Sequence, residues 1–396
     1  MTSRSPSHRI SIPKNPPQKK EYIGWILYYI HHYIRYLEEK QGEKKKISKK
    51  VAIYNKMWYD IRDIMAFDKS DKEWFSVYPL FLEPALKQYL WGGTRLQEEF
   101  GFGKDMDTVA EAWMLSCHPN GASTVRNGAL AGLTLPQALD KLGKAALGGR
   151  LSVKDFPLLI KFIDARDRLS LQVHPDDAYA RSVKLPRGKT EMWVVLDCQP
   201  GAELIYGLTR PVSEEELRAA VESDTMEPLC RHIPVKKGDV FYIPAGTLHA
   251  IGAGILIAEV QQNADVTYRV SDYGRLGADG KPRELHKEQA IAVISRTPTP
   301  LSRHTQSVRE DATGKREMLA DTPYFTVERW NLGGKAAKQV HARDTFLSLL
   351  CPEGTGHIRW EGQTESFSKG DSIFIPAGLP FVIDGQAQLL VSYVRA

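Results

Sequence analysis

The segment Gly238-Asp-Val-Phe-Tyr-Ile-Pro244-Ala-Gly246-Thr-Leu-His249 recurs, in the same register, as Gly370-Asp-Ser-Ile-Phe-Ile-Pro376-Ala-Gly378-Leu-Pro-Phe381. Each copy reads as a Gly-Asp turn, a short apolar strand and a Pro-Ala-Gly turn that aims the next side chain inward. That inward residue is His249 in the first copy and Phe381 in the second. The repeat predicts two related β-barrels, the earlier with a polar site and the later filled by apolar packing.

Outward from the repeat, short apolar runs such as Met192–Leu196, Ala202–Tyr206, Ile255–Val260 and Phe325–Trp330 are bounded by Gly, Pro and Asp. This punctuation predicts a mainly β chain. Helical insertions interrupt it at Leu135–Lys144 and Ser213–Ser223, the second opened by a capping box of Ser213 and Glu216. The expected layout is a basic N-terminal extension over residues 1–76, a domain with the polar site over 77–300, to which the donors and the resemblance below assign metal binding and catalysis, and a second, degenerate domain without that site over 301–396.

Charge supports that first boundary. Between Met1 and Phe75, sixteen Lys and Arg stand against nine Asp and Glu, so this stretch carries +7 and the rest −2 of the net +5. The basic excess says nothing of the main body, for which no nucleic-acid partner is expected. Residues 1–20 read as disordered, and the ring-rich run Tyr22–Ile34 reads as a helix. Its 13 uncharged residues are too few to span a bilayer, so no stable membrane insertion is expected. No apolar leader is visible. The four cysteines (Cys117, Cys198, Cys230, Cys351) are scattered, which fits a reducing, cytoplasmic setting better than a disulfide scaffold.

One constellation carries chemistry. Ser170, Gln172 and His174 alternate at period two, so on a strand they share a face. Glu191 starts the next apolar strand, and His249 follows the first Pro-Ala-Gly turn. Gln, His, Glu and His form a nitrogen and oxygen donor set without thiolate, suited to a divalent ion such as zinc with a position left open. Trp91, Trp113 and Trp193 read as core, and Asp176 and Asp177 as turn formers.

These residues resemble the cupin signature. Its second half is complete in Gly238, Pro244, Gly246 and His249, and its first half stands as Gln172-x-His174…Glu191. Gln in place of the first His is similar to one branch, the type I mannose-6-phosphate isomerases in their short bacterial form. The likeness runs from about Tyr78 to the C-terminus. It includes Trp91-Gly-Gly93, Glu111-Ala-Trp113, Phe156-Pro-Leu-Leu159-Ile-Lys161, Leu171-Gln-Val-His-Pro-Asp-Asp177, Lys189-Thr-Glu191, Gln262-Asn263 and Thr267-Tyr-Arg269.

The resemblance implies two cupin, jelly-roll-like barrels and one zinc ion per chain held by Gln172, His174, Glu191 and His249. It implies interconversion of mannose 6-phosphate and fructose 6-phosphate through a cis-enediol. Arg269 matches the family's catalytic arginine, and Ser170, Lys189 and Arg275 match positions lining the sugar-phosphate pocket. Arginine stays charged at neutral pH, so Arg269 suits a developing oxyanion. Glu259, on the strand leading to Arg269, is the candidate base. Metal-bound water is its rival, and the alternative role for Glu259 is a buried carboxylate paired with Lys189 or Arg269. The other readings are a non-catalytic sugar-phosphate binder and an isomerase for another hexose 6-phosphate. A monomer or weak homo-oligomer is expected.

Overall fold

Strands form over the apolar runs that the sequence marks and also over further segments, some of them polar, that it does not. In the first part of the chain they are β1 (Leu80–Glu83), β2 (Ala85–Lys87), β3 (Glu111–Leu115), β4 (Thr124–Val125), β5 (Leu158–Ala165), β6 (Leu171–Val173) and β7 (Glu191–Cys198). There follow β8 (Glu203–Leu208), β9 (Cys230–Pro234), β10 (Val240–Ile243), β11 (His249–Ile251), β12 (Ile255–Gln262) and β13 (Tyr268–Ser271). The later strands are β14 (Ser307–Asp311), β15 (Gly314–Asp321), β16 (Thr326–Leu332), β17 (Lys338–Val340), β18 (Leu347–Trp360), β19 (Gln363–Ser368), β20 (Ser372–Ile375) and β21 (Phe381–Tyr393).

The computed structural model describes residues 77–149, 151–277, 280–301, 307–333, 336–341 and 343–395. These fall in one compact unit, Trp74–Ala396. The extension expected over 1–76, with its aromatic helix, lies outside the described residues.

β10-β7-β12-β5-β3-β2 form a six-stranded antiparallel sheet, and β13-β6-β11-β8-β9 a five-stranded one. Their inner faces share one apolar cluster, with Trp193, Val195 and Ile257 from the first meeting Leu204, Tyr206 and Ile251 from the second. The six-stranded sheet is covered on its other face as well. Met192, Val194, Ala258 and Val260 point outward into a core shared with Val327, Leu350, Phe374 and Leu390 of the later strands. Burial on both faces is why β7 and β12 read as unbroken apolar runs rather than alternating ones. Phe346 is sandwiched in this shared core, its ring 5.2 Å from both Phe156 and Phe374.

The later strands join a ten-stranded sheet around a second apolar interior. Strand β1 belongs here, not to the barrel that follows it in sequence, pairing β20 with Leu80 opposite Phe374. Backbone angles support the repeat. Gly238 and Gly370 have φ of +90° and +94°, and Gly246 and Gly378 +84° and +81°, conformations that disfavour a side chain. Phe381 opens β21 and is packed inside the second interior, where the first copy has His249.

Among the helices, α1 (Asp177–Ser182) is capped by Asp176, whose side chain accepts from the Tyr179 amide. In α2 (Glu214–Glu222) Ser213 accepts from the Glu216 amide, which is half of the expected capping box, while the Glu216 carboxylate pairs with Arg210.

Candidate metal centre

His249 opens β11 directly after the Pro-Ala-Gly turn. It lies in register with Gln172 of β6 on one side and Tyr206 of β8 on the other. Gln172 is in turn in register with Arg269 of β13. Leu171 and Val173 pack into the outer core, so alternation sends Ser170, Gln172 and His174 into the barrel. Glu191 reaches the same point from the facing sheet, as the first residue of β7.

These elements bring three donors together. The ligand atoms of His174, Glu191 and His249 all lie within 4.8 Å of one another, and all three residues are buried. His249 Nε2 is 3.2 Å from Glu191 Oε1, and His174 Nε2 is 3.5 Å from Glu191 Oε2. The Nδ1–H of His249 donates to the Thr247 carbonyl at 2.8 Å, which leaves the Nε2 lone pair facing Glu191. Among the described residues neither Glu191 oxygen accepts a well-directed hydrogen bond, so lone pairs remain for a cation. The Gln172 amide comes within 3.4 Å of His249 Nε2 and borders this cluster as a fourth polar group. Two imidazoles and a carboxylate, buried and convergent, fit a divalent metal ion.

Electrostatics keeps the donors in their ligating forms. Burial, and then the Lys189 ammonium, hold His174 well below the ordinary histidine range, so it stays neutral. Burial opposes ionisation of Glu191, but the Lys189 ammonium above all outweighs it and holds the carboxyl well below its usual value. Lys189 Nζ lies 2.9 Å from Glu191 Oε2 and 3.0 Å from His174 Nε2.

Deeper in the barrel the structure adds a group to which the sequence reading assigns no role. Lys161 of β5 is buried between two carboxylates, 3.4 Å from Glu111 and 3.5 Å from Glu259. Trp113 Nε1 donates to Glu111 at 2.7 Å, and Trp193 Nε1 to Glu259 at 2.9 Å. The partners of Glu259 are thus Lys161 and Trp193, in place of the Lys189 or Arg269 of the alternative reading. Burial, and then the Glu191 charge, raise the Glu259 carboxyl. A lysine inside the otherwise apolar run Leu158–Ile163 is the signal that could have found this group, since lysine is almost never fully buried unless paired. Lys161→Met should destabilise the fold by about 3–5 kcal/mol, because it strands two buried carboxylates. Urea unfolding measures this, and a loss below about 1 kcal/mol would mean the carboxylates find other partners.

Near the site, Arg269 Nη1 donates to the Glu284 carbonyl at 2.7 Å, while its Nε is buried with no hydrogen-bond partner among the described residues. Burial, and then the neighbouring Arg283 charge, lower its pKa. Arg275 Nη2 donates to Asp272 at 2.6 Å. His286 caps the helix α3 (Lys287–Val293) and accepts from the Arg269 amide through Nδ1 at 3.3 Å. Among the described residues no helix is long and apolar enough to cross a membrane.

Residues 80–192 match the family model described as phosphomannose isomerase type I, catalytic domain, and residues 315–394 that described as mannose-6-phosphate isomerase, cupin domain. The chain is 41% identical over 318 residues to a mannose-6-phosphate isomerase of Bacillus subtilis, covering 80% of this chain and 99% of that one. It is 39% identical over 320 residues to the mannose-6-phosphate isomerase of Streptococcus mutans, covering 80% and 98%. A solved mannose 6-phosphate isomerase from Bacillus subtilis is similar with a TM-score of 0.74 at 38% identity, over 79% of this chain and 99% of that one.

Proposed function

The chain belongs to the type I phosphomannose isomerase family, and on that premise we propose that it interconverts mannose 6-phosphate and fructose 6-phosphate through a cis-enediol with one zinc ion. The observation that carries this reading is the convergence of His174, Glu191 and His249 inside the first barrel, with Arg269 two strands from His249 on the same inward face. His174, Glu191, His249 and Gln172 would hold the zinc. When bound, the ion supplies Lewis acidity at the sugar's carbonyl oxygen.

The chain's own residues do the rest. Moving a carbonyl between C1 and C2 takes a proton from one carbon and returns it to the other. Glu259, with a raised pKa and a carboxylate held by Trp193 and Lys161, suits that exchange. Arg269 keeps a fixed positive charge where the enediolate oxygen develops. Ser170, Lys189 and Arg275 line the pocket and orient the sugar phosphate. Residues 77–300 carry the chemistry, and 301–396, with Phe381 in place of a ligand, serve as scaffold. The four cysteines are free, in keeping with a cytoplasmic setting.

Metal analysis combined with a panel of hexose 6-phosphates tests the proposal. Chelation should abolish isomerisation of mannose 6-phosphate and added zinc should restore it. Full turnover by metal-free protein would overturn it.

A further inference from the structure

Strands β18 and β19 pair with Thr355 opposite Ser368 and His357 opposite Ser366. Their neighbours Ile358 and Phe367 pack into the second interior, so alternation puts these four polar side chains together on the exposed face of the ladder. Arg126, just after β4, and Asp371, just before β20, close the far side. The six side chains line a cavity of about 390 Å³ that opens to solvent. All of it belongs to the ten-stranded sheet, whereas the metal donors sit on the other two.

The charged side of this cavity is held in place. Asp371 is only 9% exposed; its Oδ1 accepts from Arg126 Nη2 at 2.7 Å and its Oδ2 from the Ser368 amide at 2.7 Å. The Arg126 guanidinium also lies over the Phe81 ring, 5.1 Å from its centroid. A long side chain fixed in this way has already lost its rotamer freedom, so a ligand meeting it has less entropy to overcome.

The mixture of polar groups selects the class of ligand. A hydroxyl both donates and accepts, a guanidinium only donates and a carboxylate only accepts. An anion needs donors alone and would meet Asp371. A bare cation needs acceptors alone and would meet Arg126. The charges also cancel locally, with Arg126 on Asp371 and His357 Nδ1 3.5 Å from Asp384. A ligand whose every group donates and accepts, with no net charge, matches such a wall. The volume lies at the small end of the roughly 300–1,000 Å³ typical of small-molecule pockets, which suits a single sugar ring.

We infer that this cavity binds an uncharged sugar of monosaccharide size, so that the second barrel has a ligand of its own besides the phosphorylated one. The site stands whether or not the first barrel isomerises sugar phosphates.

The test titrates full-length, zinc-loaded protein with D-mannose, D-glucose and D-fructose by saturation-transfer NMR, with and without saturating mannose 6-phosphate. At least one sugar should bind with a dissociation constant on the order of millimolar, unaffected by mannose 6-phosphate. Ser366→Trp fills the cavity from an exposed position and should weaken that binding at least about 10-fold, with kcat/KM for mannose 6-phosphate changed less than about 2-fold. Thr355→Val keeps the shape but loses a hydroxyl and should weaken it about 3- to 10-fold. It decides the matter if thermal unfolding shows that Ser366→Trp does not fold. Methyl α-mannoside separates the sources: binding as tight as mannose admits the end of a glycan, and much weaker binding assigns the free sugar. Sugar binding that mannose 6-phosphate displaces, or that survives both substitutions, would place the sugar elsewhere and overturn the inference. Inorganic phosphate bound more tightly than any of the sugars, and lost in Ser366→Trp, would make this an anion site and overturn it too. So would the absence of sugar binding up to about 100 mM.

Discussion

Glu191→Gln should lower kcat/KM by at least about a thousandfold and strip the protein of zinc, while the fold survives. Glu191 is the one anionic donor of the cluster, fully buried at the start of β7 between two histidines. The amide is isosteric, so packing is preserved, but the negative charge that draws a cation to this place is gone. Losing the metal's Lewis acidity forfeits several kcal/mol of transition-state stabilisation, at about 1.4 kcal/mol per decade of rate. The same substitution leaves Lys189, 2.9 Å from Glu191 Oε2, without its counter-charge. The measurements are zinc per chain after dialysis, steady-state isomerisation and thermal midpoint. Near wild-type turnover with one zinc retained would show that Glu191 is not a ligand.

Arg269→Ala should depress kcat by about 10²- to 10³-fold with zinc content intact, the range found when one preorganised donor to a developing oxyanion is removed. Arg269 is in register with Gln172, which is in register with His249, so its side chain shares the inward face with the metal donors. Its guanidinium has no partner at Nε among the described residues and is pinned at Nη1 by the Glu284 carbonyl, an arrangement that fixes a positive charge. A fall in kcat larger than the rise in KM marks an interaction made chiefly in the transition state. Loss of zinc, or a change in KM alone, would assign Arg269 to holding the site or the ground-state substrate instead.

Much of this site can be read along the chain because it is built from local patterns. Period-two alternation on β6 sets Gln172 and His174 on one face, and a Pro-Ala-Gly turn with left-handed Gly246 sets His249 at the head of its strand. The buried triad is different. Glu111, Lys161 and Glu259 come from three strands far apart in sequence, and only the pairing of β5 with β3 and β12 brings them side by side. The same holds for Asp272, whose two arginines lie three and eleven residues downstream with a turn between.

Sequence by itself determined the apolar strands, the repeated turn and the chemical kinds of the metal donors. Each is fixed by neighbours a few residues away, through backbone sterics and the alternation of side chains. Tertiary structure alone decided which carboxylate meets which cation, and that β1 joins the later sheet instead of the barrel it precedes. Those choices depend on strand order and on burial of both sheet faces, and the free energy of desolvating a charge is settled only when the surrounding walls are in place.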